Sequence, residues 1–214
     1  MVIETIVLDV GETLVRRDRY WDGWADWLQM PRHTVSALVG AVVAQGRAAE
    51  DALRLINPDM DIASADAARD VSGRGEYLDE RDLYPDVRPA LAALRERGLR
   101  VVVAGDASAR CTEMLRGLDL PVDLVADTAE WDVAKPKGEF FERVLDLAQS
   151  PARSTVYVGD HPGDDVFPAK AAGLRVAHVR RGPWGHLWGE DPEVLAAADW
   201  QVDSLVQLAS ALGD

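Results

Sequence analysis

The sequence predicts an α/β protein: a doubly wound parallel sheet with an inserted α-helical cap. Three observations carry that prediction. Short β-branched apolar runs alternate with helical patterns along the chain. The runs are continuous over four or five residues, as in strands buried on both faces. One long stretch between the first and second strands carries only helical patterning.

The first strand is read at Thr5–Leu8. Residues 15–84 are then expected to be wholly helical, with Trp21, Trp24 and Trp27 on one helical face and an amphipathic helix over Thr34–Gln45. The tryptophans read as core of that segment, with an aromatic substrate cage as the alternative. A helix over Pro89–Arg97 stops at Gly98. Strands follow at Val101–Ala104, Val122–Ala126, Thr155–Val158 and Val176–Val179, with an edge strand at Trp200–Val202. Helices are expected at Ser108–Arg116, Glu139–Gln149 and Val166–Ala172, and a last one capped by Asp203. The domains are therefore residues 1–14 with 85–214 as core, and residues 15–84 as cap. A cap inserted there would cover the carboxyl ends of the strands, where open α/β sheets bind ligands.

Composition narrows the function. The 214 residues carry 37 acids and 23 bases, a formal net charge of -14. That excess disfavours a nucleic-acid partner and an anionic membrane surface. No apolar run approaches the ~20 residues of a membrane span. Cys111 is the lone cysteine, and the four histidines form no zinc pattern with it. The N-terminus reads as a strand and not as a signal peptide, so a cytoplasmic protein is expected. Lysine occurs three times, at Lys135, Lys137 and Lys170; the remaining 20 basic residues are arginine.

Four stretches follow predicted strands and should converge on one sheet edge. In Asp9-Val10-Gly11-Glu12-Thr13-Leu14, Asp9 can serve as a nucleophile or metal ligand, or cap the turn. Thr13 offers a hydroxyl and a backbone N–H. Gly105-Asp106-Ala107-Ser108 can hold an anion on loop N–H groups, or form an ordinary turn with Ser108 as N-cap. Lys135, before Pro136, can neutralise a phosphate or hold a carboxylate, or lie solvated on the surface. Asp160, Asp164 and Asp165 crowd one glycine-punctuated loop and call for a cation, with Mg²⁺ the best match to oxygen ligands; helix capping is the alternative.

Taken in order, these stretches resemble the haloacid dehalogenase (HAD) superfamily. Its first motif is Asp-x-Asp-x-Thr, and its fourth is Gly-Asp-x(3–4)-Asp before a helix ending near Ala-Gly, matched by Gly159 to Gly173. The resemblance spans the whole chain. It implies a Rossmann-like core, a helical cap, and hydrolysis through a covalent aspartyl intermediate. Asp9 and Lys135 would be catalytic. Thr13, Gly105, Asp106 and Ser108 would bind substrate. Mg²⁺ would be held by Asp9, the Gly11 carbonyl and Asp160, with Asp165 and Asp164 completing the metal site. The partner would be a small anionic substrate; oligomeric state stays open.

Two departures from the family pattern matter. Gly11 stands where phosphatases carry the aspartate that protonates the leaving oxygen. Gly105 stands where the second motif has Ser or Thr, and Asp106 where many members have Asn. General acid–base catalysis is worth about 10²–10⁴-fold, so a slow phosphatase is expected. It would favour good leaving groups or substrates that bring their own acid. A non-catalytic binding protein is the alternative, with 2-haloacid dehalogenase further behind. Phosphonate cleavage is disfavoured because residues 15–84 contain no lysine. Glu12 would normally point elsewhere. The Arg180–His186 stretch reads as a surface loop packed by Trp184 and Trp188, or as an anion-binding loop; His161 is a turn residue or a substrate contact.

Overall fold

A computed structural model describes residues 2–126 and 128–213. Residues 1 and 214, the ends of the expected core domain, lie outside the described residues. The chain forms two compact units. One is Arg17–Leu78; the other joins the segment ending at Arg16 to that starting at Asp79.

The larger unit is built on six parallel strands: β1 (Thr5–Leu8), β2 (Arg100–Val103), β3 (Leu124–Val125), β4 (Thr155–Gly159), β5 (Arg175–Val179) and β6 (Trp200–Val202). Their order is β3-β2-β1-β4-β5-β6. The order reverses between β1 and β4, the position where doubly wound sheets form their ligand crevice. Register sets the faces. Val7 pairs Val102 and Tyr157, and Tyr157 pairs Val176. That row is fully buried with Phe140, Phe141, Val144 and Ala169. Three of those come from α7 (Gly138–Ala148) and Ala169 from α8 (Phe167–Ala171). Phe140, Phe141 and Tyr157 meet edge to face at 5.3 and 5.2 Å. Alternate residues Ile6, Leu8, Val101, Val103, Val156 and Val158 are buried too, so both sheet faces are covered.

Helix ends follow local chemistry. α5 (Val87–Glu96) is followed by Gly98 with φ 78, as expected of a glycine stop. α6 (Ala109–Gly117) is capped by Ser108, whose Oγ accepts the Cys111 N–H at 3.0 Å. The last helix, α11 (Leu205–Ala211), differs from expectation: Ser204, not Asp203, is its cap, accepting Gln207 N–H at 3.1 Å. The expected helix from Val166 is preceded by a π-helical turn, Pro162–Val166. The expected loop after β5 is helical: α9 (Gly182–Trp188), then α10 (Pro192–Ala197). Pro183 and Pro192 sit in their first turns, where a missing N–H costs nothing.

The smaller unit is all-helical: α1 (Asp18–Trp27), α2 (Arg32–Val43), α3 (Asp51–Ile56) and α4 (Ile62–Val71). Trp21 and Trp24 are buried in it and Trp27 is half-buried. Arg69 is buried as well, its guanidinium 4.2 Å over the Trp24 ring and paired with Asp66. Trp21 and Trp24 are core, and the cation stacked on Trp24 is supplied by the chain itself. Among the described residues no helix is long and apolar enough to cross a membrane.

Candidate active site

Asp9 leaves β1 and Asp160 leaves β4, so they flank the seam where strand order reverses. Asp165 joins them from the π-helical turn. All three are buried, and one carboxylate oxygen from each lies within 4.8 Å of the others. Lys135 Nζ donates to Asp9 Oδ1 and to Asp165 Oδ1, both at 2.7 Å. Three buried carboxylates thus face one ammonium. Burial pushes the Asp9 carboxyl up to about 6, Lys135 opposing it and the neighbouring Asp165 adding to it. Burial, then Asp165 and Asp9, hold Asp160 well above the usual carboxylate range. Burial also raises Asp165, with Lys135 opposing. Burial works against a charged Lys135, but Asp165 and Asp9 outweigh it and keep the ammonium protonated.

Glycine makes this crowding possible at two positions. A Cβ at Gly159 would lie 2.2 Å from Asp165 Oδ2. A Cβ at Gly105 would lie 2.1 Å from Asp9 Oδ1 and 2.8 Å from Val10 N. Position 105 lacks a hydroxyl because the Asp9 carboxylate lies where the side chain would start. Asp165 is fixed further by the His161 N–H, 3.0 Å from Oδ2.

The other candidates are placed as follows. Thr13 is fully buried and its Oγ1 has no hydrogen-bond partner, an acceptor and donor close to the nucleophile in sequence. Asp106 Oδ1 accepts the Lys135 N–H at 3.3 Å; burial raises its carboxyl despite Lys135. Ser108 Oγ is engaged as a cap. Asp164 is not among the three clustered carboxylates: its carboxylate lies 3.5 Å from His161 Nε2 and its side chain is 42% exposed. The His161 ring packs on Trp184 at 3.9 Å.

Arg180 and Arg181 correct the anion-binding alternative. Arg180 pairs with Asp203 and Glu190. Arg181 is buried, donates to the Thr13 carbonyl at 2.6 Å, pairs with Asp86 and stacks 4.2 Å over Tyr84. Both guanidiniums are used to hold the chain. Glu12, with φ 53, accepts the Tyr84 hydroxyl at 2.5 Å. Burial and Glu12 keep that phenol protonated.

Three contributors escape a sequence reading. Tyr157 Oη donates to the Ala104 carbonyl at 2.9 Å, bracing the strand that leads into Gly105. His178 Nε2 donates to the Asp160 carbonyl at 2.9 Å, and burial keeps the ring neutral. Thr128 Oγ1 donates to the Gly105 carbonyl at 2.6 Å. The available signal was weak: each lies in or just after a predicted strand.

A parallel Rossmann-like sheet with a lysine-bridged carboxylate group at its seam defines a class of hydrolase. Residues 3–173 match the haloacid dehalogenase-like hydrolase family, and the chain belongs to it. Among similar proteins is a glyceraldehyde 3-phosphate phosphatase of Methanocaldococcus jannaschii, 30% identical over 128 residues, 58% of this chain and 54% of that protein. Another is a phosphoserine phosphatase of Thermus thermophilus, 35% identical over 135 residues, 61% of this chain and 52% of that one. The matched stretch therefore spans about half the length of these curated relatives. Among solved structures, a HAD phosphatase from Thermococcus onnurineus superposes with a TM-score of 0.64 at 20% identity, covering 99% of this chain and 98% of the other. That likeness is one of fold.

Proposed function

We propose that the chain is a Mg²⁺-dependent phosphatase acting on a small phosphorylated metabolite through an aspartyl-phosphate intermediate. One observation carries the reading: Lys135 bridges Asp9 and Asp165 inside a buried carboxylate group. An all-oxygen donor set with excess negative charge fits a hard divalent cation. Asp9, Asp160 and the Gly11 carbonyl would hold it, with Asp165 beside them. Mg²⁺ would supply charge neutralisation for an anionic substrate. Asp9 then attacks phosphorus, the ester bond breaks, and the alcohol leaves; water attacks the aspartyl-phosphate and frees Asp9 and phosphate. Lys135 holds Asp9 in place and balances charge on the transferring group. The buried Thr13 hydroxyl is available to a phosphate oxygen. The helical unit Arg17–Leu78 is proposed as the cap that selects substrate.

Turnover is expected to be slow because Gly11 carries no acid. Glu12 does not replace it, since its carboxylate is held by Tyr84. The same vacancy supports a second reading, a binding protein that retains the ion site. A screen of phosphomonoesters with and without Mg²⁺ separates them. Metal-dependent phosphate release that disappears in Asp9→Asn supports the phosphatase. Release that survives Asp9→Asn, or no release from any ester, sinks it. Metal-independent halide release from a 2-haloacid would point to the dehalogenase instead.

A further inference from the structure

A pocket of about 530 Å³ opens between the loops that follow β2 and β3, within the larger unit. Its walls are the loop after β2, with Asp106 and Ser108, and the loop after β3, with Thr128, Asp132 and Lys137. The size suits a small metabolite. The two walls are tied together. Thr128 Oγ1 donates to the Gly105 carbonyl and accepts the Ala107 N–H at 3.4 Å. Asp106 accepts the Lys135 N–H. The pocket therefore starts one residue from Gly105 and Lys135, the two positions that press on Asp9.

Its charges are mixed: the Asp106 carboxylate holds the Lys135 N–H, while Asp132 and Lys137 are solvent-exposed. Among the described residues, the Asp132 and Lys137 side chains make no ion pair or hydrogen bond with each other or with a third group. Two carboxylates and one ammonium line the same space, so a second phosphate there would be repelled. A group with a positive end and a negative end would be matched.

We propose that this pocket takes the leaving group of the substrate, an amino-acid-type alcohol, with its ammonium toward Asp106 and Asp132 and its carboxylate toward Lys137. The inference rests on the phosphatase reading and names its substrate class. It also answers the deficit at Gly11. The Asp9 oxygen bonds to phosphorus as the ester P–O bond breaks, and the electron pair stays on the ester oxygen. That oxygen takes a proton from the neighbouring ammonium of the same molecule. The released amine is reprotonated by water. No oxidant or further reactant is needed.

Four esters test this. O-phospho-L-serine carries both charges, N-acetyl-O-phospho-L-serine lacks the ammonium, and O-phosphoethanolamine lacks the carboxylate. p-Nitrophenyl phosphate needs neither, because its phenol leaves without an acid. The acetylated ester should be slower than O-phospho-L-serine by about 10²-fold or more in kcat/KM, the worth of a general acid. Lys137→Gln should lower the ratio of O-phospho-L-serine to O-phosphoethanolamine turnover by about tenfold, one lost charge contact. Asp132→Asn should slow both ammonium esters relative to p-nitrophenyl phosphate. Hydrolysis of p-nitrophenyl phosphate with no preference among the other three overturns the pocket and leaves the phosphatase standing. If no ester is hydrolysed, the phosphatase reading falls, and calorimetric titration with O-phospho-L-serine decides the pocket. Binding weakened by both substitutions supports it; binding that is absent, or indifferent to them, overturns it.

Discussion

The α-carbon of Gly105 faces the Asp9 carboxylate so closely that a methyl group there would lie 2.1 Å from Oδ1. The two positions are 96 residues apart in sequence (105 − 9) and are brought together by the β1–β2 pairing. The glycine and the nucleophile are therefore one unit, and neither can change alone.

Gly105→Ser, which restores a side chain common in the family, should accordingly damage this protein. The Cβ meets Asp9 Oδ1 and the Val10 nitrogen, and the latter is backbone and cannot swing aside. The expected cost is about 1–3 kcal/mol of stability, as for other overpacked sites. Turnover should fall with it. Denaturant melts and phosphate release measure the two; a Gly105→Ser protein as stable and active as the native would contradict the crowding.

Lys135→Met removes the lone ammonium seen among the three carboxylates. Breaking a buried pair costs about 3–5 kcal/mol. The loss should be large near neutral pH and smaller in acid, where the carboxyls take protons instead. Turnover should disappear. Equal stability loss at both pH values, read by urea melts, would show that Lys135 acts by packing alone.

Metal-free protein should show an unusual pH response. Asp9, Asp160 and Asp165 bind protons more tightly folded than unfolded. Their contribution to stability is fully present below the unfolded value of about 3.9 and is lost as pH rises through the folded value. For Asp9 that window closes at about 6. Excess Mg²⁺ requires the ionised carboxylates, so it should raise Tm more near pH 7.5 than near pH 5. Calorimetric scans with and without the ion check the sign; a Mg²⁺ effect independent of pH would refute the assignment.

Gly11→Asp supplies the carboxyl that the first motif lacks. It should raise kcat on alkyl phosphates by about 10²-fold, and much less on p-nitrophenyl phosphate. A parallel gain on both substrates would mean that the new group acts on binding and not as an acid.

Arg181→Ala should loosen the loop that follows Asp9, because one side chain holds the Thr13 carbonyl, Asp86 and the face of Tyr84. A cost of about 2–3 kcal/mol is expected for a buried charged donor with a partly exposed partner. Arg181→Lys should not rescue it, since one ammonium cannot serve all three contacts. Thermal melts of both variants test this.

The sheet was legible because its strands are continuous apolar runs, and register then fixed where Asp9, Lys135, Asp160 and Asp165 would meet. Local signals also placed the Ser108 cap and the Gly98 stop. Other features depend on contacts distant in sequence. The Arg180–His186 stretch reads as a surface or anion-binding loop, and nothing beside Arg181 announces that it is buried against Asp86 and the Thr13 carbonyl. α9 was hidden by its two glycines and its proline, which read as loop composition but sit in a helix whose Gly185 packs against the Val179 carbonyl, 2.7 Å from where a Cβ would be. Asp164 and Asp165 are equivalent by sequence; the π-helical turn sends only Asp165 inward. Ser204 and Asp203 compete for one cap, and adjacent residues of equal propensity are not separable without the backbone.

The pairing of β1 with β4 also orders events in time. Residues 5–8 bond with residues 155–158, so during synthesis the first strand has β2 as a partner sooner and must wait for β4. Asp9 is made well before Asp160 and Asp165, which join it only after β2 and β3 have been made. The charged seam therefore closes only when β4 arrives, with β5 and β6 still to add to that side of the sheet, and a nascent chain stalled before β4 lacks two of the three clustered carboxylates.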